Sequence, residues 1–123
     1  MKLKNVLIVV DNIDESVKFY QDLFGLQAIM KQDGNVILSE GLVLQDLDVW
    51  YESTGISTTP HNNMIELYFE EYDMDEFIKK LESYEFTLSY VTEPTELEGG
   101  QKVIRFYDPS GNLIEVRSPL MNY

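Results

Sequence analysis

Apolar positions along the chain follow two rhythms, and the same succession of rhythms occurs twice. Val6-Leu7-Ile8-Val9-Val10 is followed by Asn12-Ile13-Asp14-Glu15, and Met64-Ile65-Glu66-Leu67-Tyr68-Phe69 is followed by Asp73-Met74-Asp75-Glu76. Each apolar run predicts a strand. Each four-residue run predicts a helix start, with Asn12 or Asp73 as N-cap and Glu15 or Glu76 at the third helical position. Acidic side chains there also suit the positive end of the helix dipole. Val17, Tyr20 and Phe24, flanked by Phe19 and Leu23, then recur at helical spacing, as do Met74, Phe77, Ile78 and Leu81. Gly25 is placed to stop the first helix.

Strand-like runs follow each helix. They are Leu26 to Lys31, Val36 to Ser39 and Leu42 to Gln45 in the first half, and Phe86 to Val91, Lys102 to Tyr107 and Leu113 to Arg117 in the second. Asp33-Gly34 and Asp108-Pro109-Ser110-Gly111 read as tight turns. Gly41-Leu42-Val43-Leu44-Gln45 matches Gly111-Asn112-Leu113-Ile114-Glu115, so the repeat extends to the end of each half. The expected fold is α+β: two tandem βαβββ modules, about 1–52 and 64–120, joined by a polar connector over about 53–63. A half of about 60 residues buries too little to be stable alone. Two curved sheets around a shared cavity, helices outside, are therefore expected in one domain over 1–123.

Composition narrows the partners. Nine Lys and Arg face 22 Asp and Glu, a net charge of −13. A field of that sign repels phosphate backbones and anionic headgroups, so neither nucleic acid nor membrane is the expected partner. Cysteine is absent, which excludes a disulfide framework, a thiolate zinc site and a cysteine nucleophile. No secretory signal or membrane-length apolar run is visible, and a cytoplasmic location is expected. With one histidine, His61, no Ser-His-Asp arrangement is argued, and His61 reads as a solvated loop residue. Gly99-Gly100 suggests a flexible loop.

The run Val9-Val10-Asp11-Asn12-Ile13-Asp14-Glu15-Ser16-Val17-Lys18-Phe19-Tyr20-Gln21-Asp22-Leu23-Phe24-Gly25-Leu26 and the run Phe106-Tyr107-Asp108-Pro109-Ser110-Gly111-Asn112-Leu113-Ile114-Glu115 resemble the opening and closing signatures of the vicinal oxygen chelate superfamily. That group holds glyoxalase I, bleomycin-resistance proteins and extradiol dioxygenases. The resemblance implies a glyoxalase-like fold, and a homodimer as the default assembly. It says little about activity, because this fold hosts lyases, isomerases, dioxygenases and plain binders.

In metal-dependent members, four inward positions hold the ion. By resemblance these fall on Lys4 or Asn5, then Gln45, Glu66 and Glu115. None is a histidine, so a two-His-one-carboxylate iron site cannot be built from one chain, and extradiol dioxygenase chemistry is not expected. The cofactor expectation is none; were a divalent metal bound, Gln45, Glu66 and Glu115 would be its ligands.

Alternation sends Leu67 and Phe69 toward the helix and Glu66 and Tyr68 to the opposite face. Two readings of the carboxylates stand side by side: Glu66 and Glu115 as an acid–base pair, or carboxylates that bind water, one of them, Glu115 or Glu66, held in a salt bridge with Arg105. Arg105 and Tyr107 share the open face, where Arg105 clamps a ligand anion or pairs internally. Trp50 and Tyr51 offer an aromatic shelf for a flat or cationic ligand. The expected function is a small-molecule-binding protein without the usual catalytic metal, in a resistance or sequestration role. Its ligand residues are Asn5, Gln45, Trp50, Glu66, Tyr68, Arg105, Tyr107 and Glu115. The alternative is a glyoxalase-like lyase or isomerase using Glu66 and Glu115 as catalytic residues, with or without a divalent ion.

Overall fold

The computed structural model describes residues 1–120. The chain divides into two compact units, Met1–Pro60 and a second from His61 onward. The first contains β1 (Val6–Val10), α1 (Ile13–Phe24), β2 (Ala28–Gln32), β3 (Asn35–Leu38), β4 (Leu42–Asp46) and α2 (Leu47–Thr54). The second contains β5 (Glu66–Glu70), α3 (Met74–Glu82), β6 (Tyr90–Glu96), β7 (Lys102–Tyr107) and β8 (Leu113–Arg117).

Both sheets have the same layout. Their strand orders are β1-β4-β3-β2 and β5-β8-β7-β6. The first and last strands of each unit run parallel, and the remaining pairs are antiparallel. The helix that leaves the first strand supplies the crossover that a parallel pair requires.

The repeated motif forms the predicted caps. Asn12 accepts a hydrogen bond from the Glu15 amide at 3.0 Å, and Asp73 accepts one from the Glu76 amide at 3.1 Å. Gly25 closes α1 at φ 68°, the left-handed conformation that glycine enters without a Cβ penalty. Val17, Phe19, Tyr20 and Leu23 of α1 are buried with Ile8, Val10, Val36, Leu38 and Leu44. In the second unit Met74, Phe77 and Leu81 are buried with Ile104, Phe106, Ile114 and Val116. Glu66, Tyr68 and Glu70 are exposed, while Leu67 and Phe69 are half-buried, the alternation expected of β5.

Three features differ from the sequence reading. A second helix, α2, occupies residues 47–54, where the end of module one and the start of the connector were expected. Asp46 caps it, accepting from the Asp48 and Val49 amides, and Gly55 ends it at φ 69°. No side chain of α2 is fully buried, so it lacks the apolar stripe by which helices are recognised. Secondly, β6 lies at Tyr90–Glu96 rather than Phe86–Val91. Pro94 lies within it, and its pairing with β7 shifts register twice; proline is tolerated there because β6 is an edge strand. Thirdly, the registers pair Leu7 with Val43 and Glu66 with Leu113. Leu7 therefore corresponds to Glu66, although counting back from the helix caps Asn12 and Asp73 would pair Glu66 with Asn5. The difference lies in the strand-to-helix link, which holds Glu70, Glu71 and Tyr72 between Phe69 and Asp73 but only Asp11 between Val10 and Asn12.

One ion pair ties the first turn of α3 to the start of β7: Lys102 Nζ donates to Asp75 Oδ1 at 2.8 Å. That hydrogen bond, then the lysine charge, holds the Asp75 carboxyl below its ordinary value of 3.8. The same bond and the aspartate charge raise Lys102 above 10.5. A lowered carboxyl contributes stability above its unfolded pKa and loses it as pH falls. A raised lysine contributes below its unfolded pKa and loses it as pH rises. The stability difference between wild type and Lys102→Met is therefore expected to be flat from about pH 5 to 9 and to close below about pH 4. Urea unfolding at each pH measures it. Both groups are exposed, so the difference is small and salt-sensitive.

Candidate functional site

The registers of the second unit build one row across its sheet. Tyr68 on β5 pairs with Glu115 on β8, Glu115 with Arg105 on β7, and Arg105 with Thr92 on β6. Strand neighbours in register present their side chains on one face. The row therefore reads aromatic, carboxylate, guanidinium, hydroxyl, on the face opposite Ile104, Phe106, Ile114 and Val116.

Glu115 is only 3% exposed. Arg105 Nε donates to its Oε1 at 2.6 Å, and Arg117 Nε lies 3.2 Å from its Oε2. The Arg117 contact is an ion pair without hydrogen-bond alignment, since that buried nitrogen has no aligned acceptor. Arg105 Nη1 donates to Thr92 Oγ1 at 3.1 Å. A buried carboxylate requires such partners, because an unpaired charge removed from water costs several kcal/mol.

Beside the row, Tyr107 follows Arg105 on the same face of β7. Its hydroxyl donates to Asn63 Oδ1 at 2.7 Å, and His61 meets its ring edge-on at 4.3 Å. His61 and Asn63 both hold φ at 59°, a left-handed backbone uncommon for residues with a Cβ. The His61 amide also donates to the Gly111 carbonyl. The end of the connector is thus folded onto Tyr107, and His61 is exposed, as expected of a loop residue, while one edge of its ring meets Tyr107.

The expected site residues divide between the two units. Tyr68, Glu66, Arg105, Tyr107 and Glu115 share the open face of the second sheet. Glu66 lies one row away from Glu115, in register with Leu113, and is exposed. Of the two internal partners expected for Arg105, Glu115 and Glu66, the structure pairs it with Glu115. Gln45, Asn5 and Trp50 belong to the first unit. Gln45 Nε2 donates to Asn35 Oδ1 at 3.4 Å, and Asn35 is its register partner on β3. Gln45–Asn35 in the first sheet therefore takes the place that Glu115–Arg105 takes in the second. Asn5 precedes β1 and lies near Gly41, as does the Lys4 carbonyl. Trp50 is half-buried on α2, its indole nitrogen buried without a hydrogen-bond partner. Tyr51 instead lines an open cleft of about 580 Å³ with Leu47, Asp48, Glu52, Ser57 and Thr58.

Arg117, Thr92 and Asn35 were not singled out by the sequence. Arg117 was legible: it lies two residues beyond Glu115 on one strand, which puts both on one face. Thr92 was not, because it depends on the displaced register of β6.

A divalent ion is the group the fold would imply, and the residues of the second sheet do not fit one. Glu115, the acidic residue at an expected ligand position on β8, has each oxygen facing a guanidinium. An ion there would displace one arginine and sit beside the other. Among the described residues, no three of His, Cys, Asp and Glu gather closely enough to hold a metal.

The chain matches the glyoxalase-like domain family over residues 3–121 and belongs to it, within the vicinal oxygen chelate superfamily. Solved structures share the fold. A protein of unknown function from Agrobacterium tumefaciens str. C58 is 26% identical with a TM-score of 0.80, the match covering 98% of this chain and 95% of that one. Lactoylglutathione lyase from Agrobacterium tumefaciens is 23% identical with a TM-score of 0.72, over 99% and 97% of the two chains. TioX from Micromonospora sp. ML1 is 15% identical with a TM-score of 0.70, over 96% and 98%. No curated protein sequence matches the chain. Among the described residues no helix is long and apolar enough to cross a membrane.

Proposed function

We propose that this glyoxalase-like protein binds a small organic molecule on the open face of its second sheet and does so without a catalytic metal. The observation that carries this reading is Glu115, buried and ion-paired to Arg105 and Arg117 at 2.6 and 3.2 Å. Its lone pairs face arginines, so neither metal ligation nor proton abstraction is open to it without breaking a buried ion pair. Aromatic and polar groups beside it, Tyr68, Tyr107 and Thr92, suit recognition of an organic ligand. In this reading the chain is a cytoplasmic homodimer with a sequestration role.

Metal analysis and turnover test it together. After incubation with Mg²⁺, Mn²⁺, Ni²⁺ or Zn²⁺ and desalting, the protein is expected to retain far less than one equivalent of metal. A 2-oxoaldehyde–thiol adduct is expected to yield no more than one equivalent of product. A panel of aromatic compounds is expected to contain members that raise Tm. Stoichiometric metal that Glu115→Gln removes, or sustained turnover abolished by Glu66→Gln, would establish the lyase or isomerase reading instead.

A further inference from the structure

We infer that the ligand is an organic anion whose carboxylate is held by Arg105 and Arg117, with an aromatic group against Tyr68 or Tyr107. The inference rests on the small-molecule reading above and adds the ligand's charge and the atoms that recognise it.

The argument begins with charge. Two guanidiniums face one buried carboxylate, which leaves one positive charge without a counter-charge in that cluster. Guanidinium carries five N–H donors. In Arg105, Nε is committed to Glu115 and Nη1 to Thr92, leaving donors on Nη1 and Nη2. Arg117 Nε is buried against Glu115, so an incoming anion meets the terminal nitrogens of that guanidinium. The arginine side chains are 31% and 25% exposed, against 4% for Glu115. The cations are therefore reachable from solvent while their internal partner is not. Thr92 Oγ1 accepts from Arg105, so its own hydroxyl proton is available to an incoming oxygen. Planar donors side by side suit a carboxylate better than a compact cation or a neutral carbonyl.

Two further charged groups on this face, Glu66 and Glu70, are exposed on β5. Glu70 pairs in register with Arg117 and weakens attraction on that side. The anion held by the two arginines accordingly sits closer to Arg105 and Thr92 than to Arg117. The net charge of −13 opposes any anion at a distance. That field is screened beyond about 8–10 Å at physiological salt, whereas direct charge-assisted hydrogen bonds act at about 2.7–2.9 Å. The local term decides the sign.

Titration with phenylacetate, phenethylamine and 2-phenylethanol tests the inference on one aromatic skeleton, by calorimetry and by NMR of the arginine Nε–H signals. Wild type is expected to bind the acid at least tenfold tighter than the amine or the alcohol. The acid, and not the alcohol, is expected to shift the Arg105 and Arg117 signals. Arg105→Gln is expected to weaken the acid tenfold and leave the alcohol unchanged. Glu115→Gln removes the internal competitor and is expected to strengthen the acid several-fold; a merely structural ion pair gives no such gain. The wild-type comparison needs no variant to fold. Equal or tighter binding of the amine or the alcohol overturns the anion claim while leaving the small-molecule reading intact. No binding of any of the three at about 10 mM, a concentration that reveals even millimolar affinity, also overturns it. The small-molecule reading itself then stands or falls on the wider panel.

Discussion

Glu115→Ala is expected to lower folding stability by about 2–4 kcal/mol, and Glu66→Ala by less than about 0.5 kcal/mol, in parallel urea titrations. The two residues are the same chemical type on the same face of one sheet, so the contrast isolates environment. Removing Glu115 leaves Arg105 and Arg117 facing each other with the buried acceptor gone. The penalty for breaking a fully buried pair is about 3–5 kcal/mol. It is reduced here because water reaches the arginines, which are 31% and 25% exposed. Glu66 is exposed and registers with Leu113, so its loss strands no partner. Glu115→Gln keeps the shape and one acceptor and is expected to fall between the two. Equal effects of both alanine variants would mean that the ion-paired cluster contributes nothing to the fold.

Phe106→Ala is expected to cost about 3–5 kcal/mol, the range for deleting a buried aromatic ring and leaving a cavity. Phe106 is fully buried. Its ring centroid lies 6.5 Å from Phe77 on α3 and 6.3 Å from Tyr90 on β6. One side chain thus joins the helix to the edge strand. Because β6 carries Pro94 and two register shifts, it has few regular ladder bonds to fall back on. Its amides are expected to lose hydrogen-exchange protection before those of β7 and β8 do. A loss below about 1 kcal/mol would show that the surrounding side chains close the void without help.

Local chemistry explains why so much of the fold was legible. Asn12 and Asp73 cap helices because a short side-chain oxygen reaches an amide three residues on, and that requirement is written in four consecutive residues. Asp108 accepts from the Ser110 and Asn112 amides and from the Asn112 side chain, so the turn before β8 is also a local device. Two-residue alternation placed Leu67 and Phe69 on the helix side and Glu66 and Tyr68 on the other. Helix α2 escaped for a local reason of the opposite kind. Its signals, Asp46 and Gly55, were present, but an eight-residue helix with no fully buried side chain has too weak an apolar stripe to be noticed between a strand and a polar connector.

The sequence by itself determined a duplicated α+β scaffold, the N-caps of α1 and α3 and the faces of β5. Each follows from neighbours a few residues apart, or from a motif compared with its own repeat. Tertiary structure alone decided what Glu115 does. Whether a strand carboxylate serves a metal, a proton or an arginine depends on residues brought beside it by register: Arg105 from β7, aligned by the hairpin, and Thr92 from β6, shifted past a proline. Register is a long-range property, and a slip of one residue would turn every one of those side chains to the opposite face.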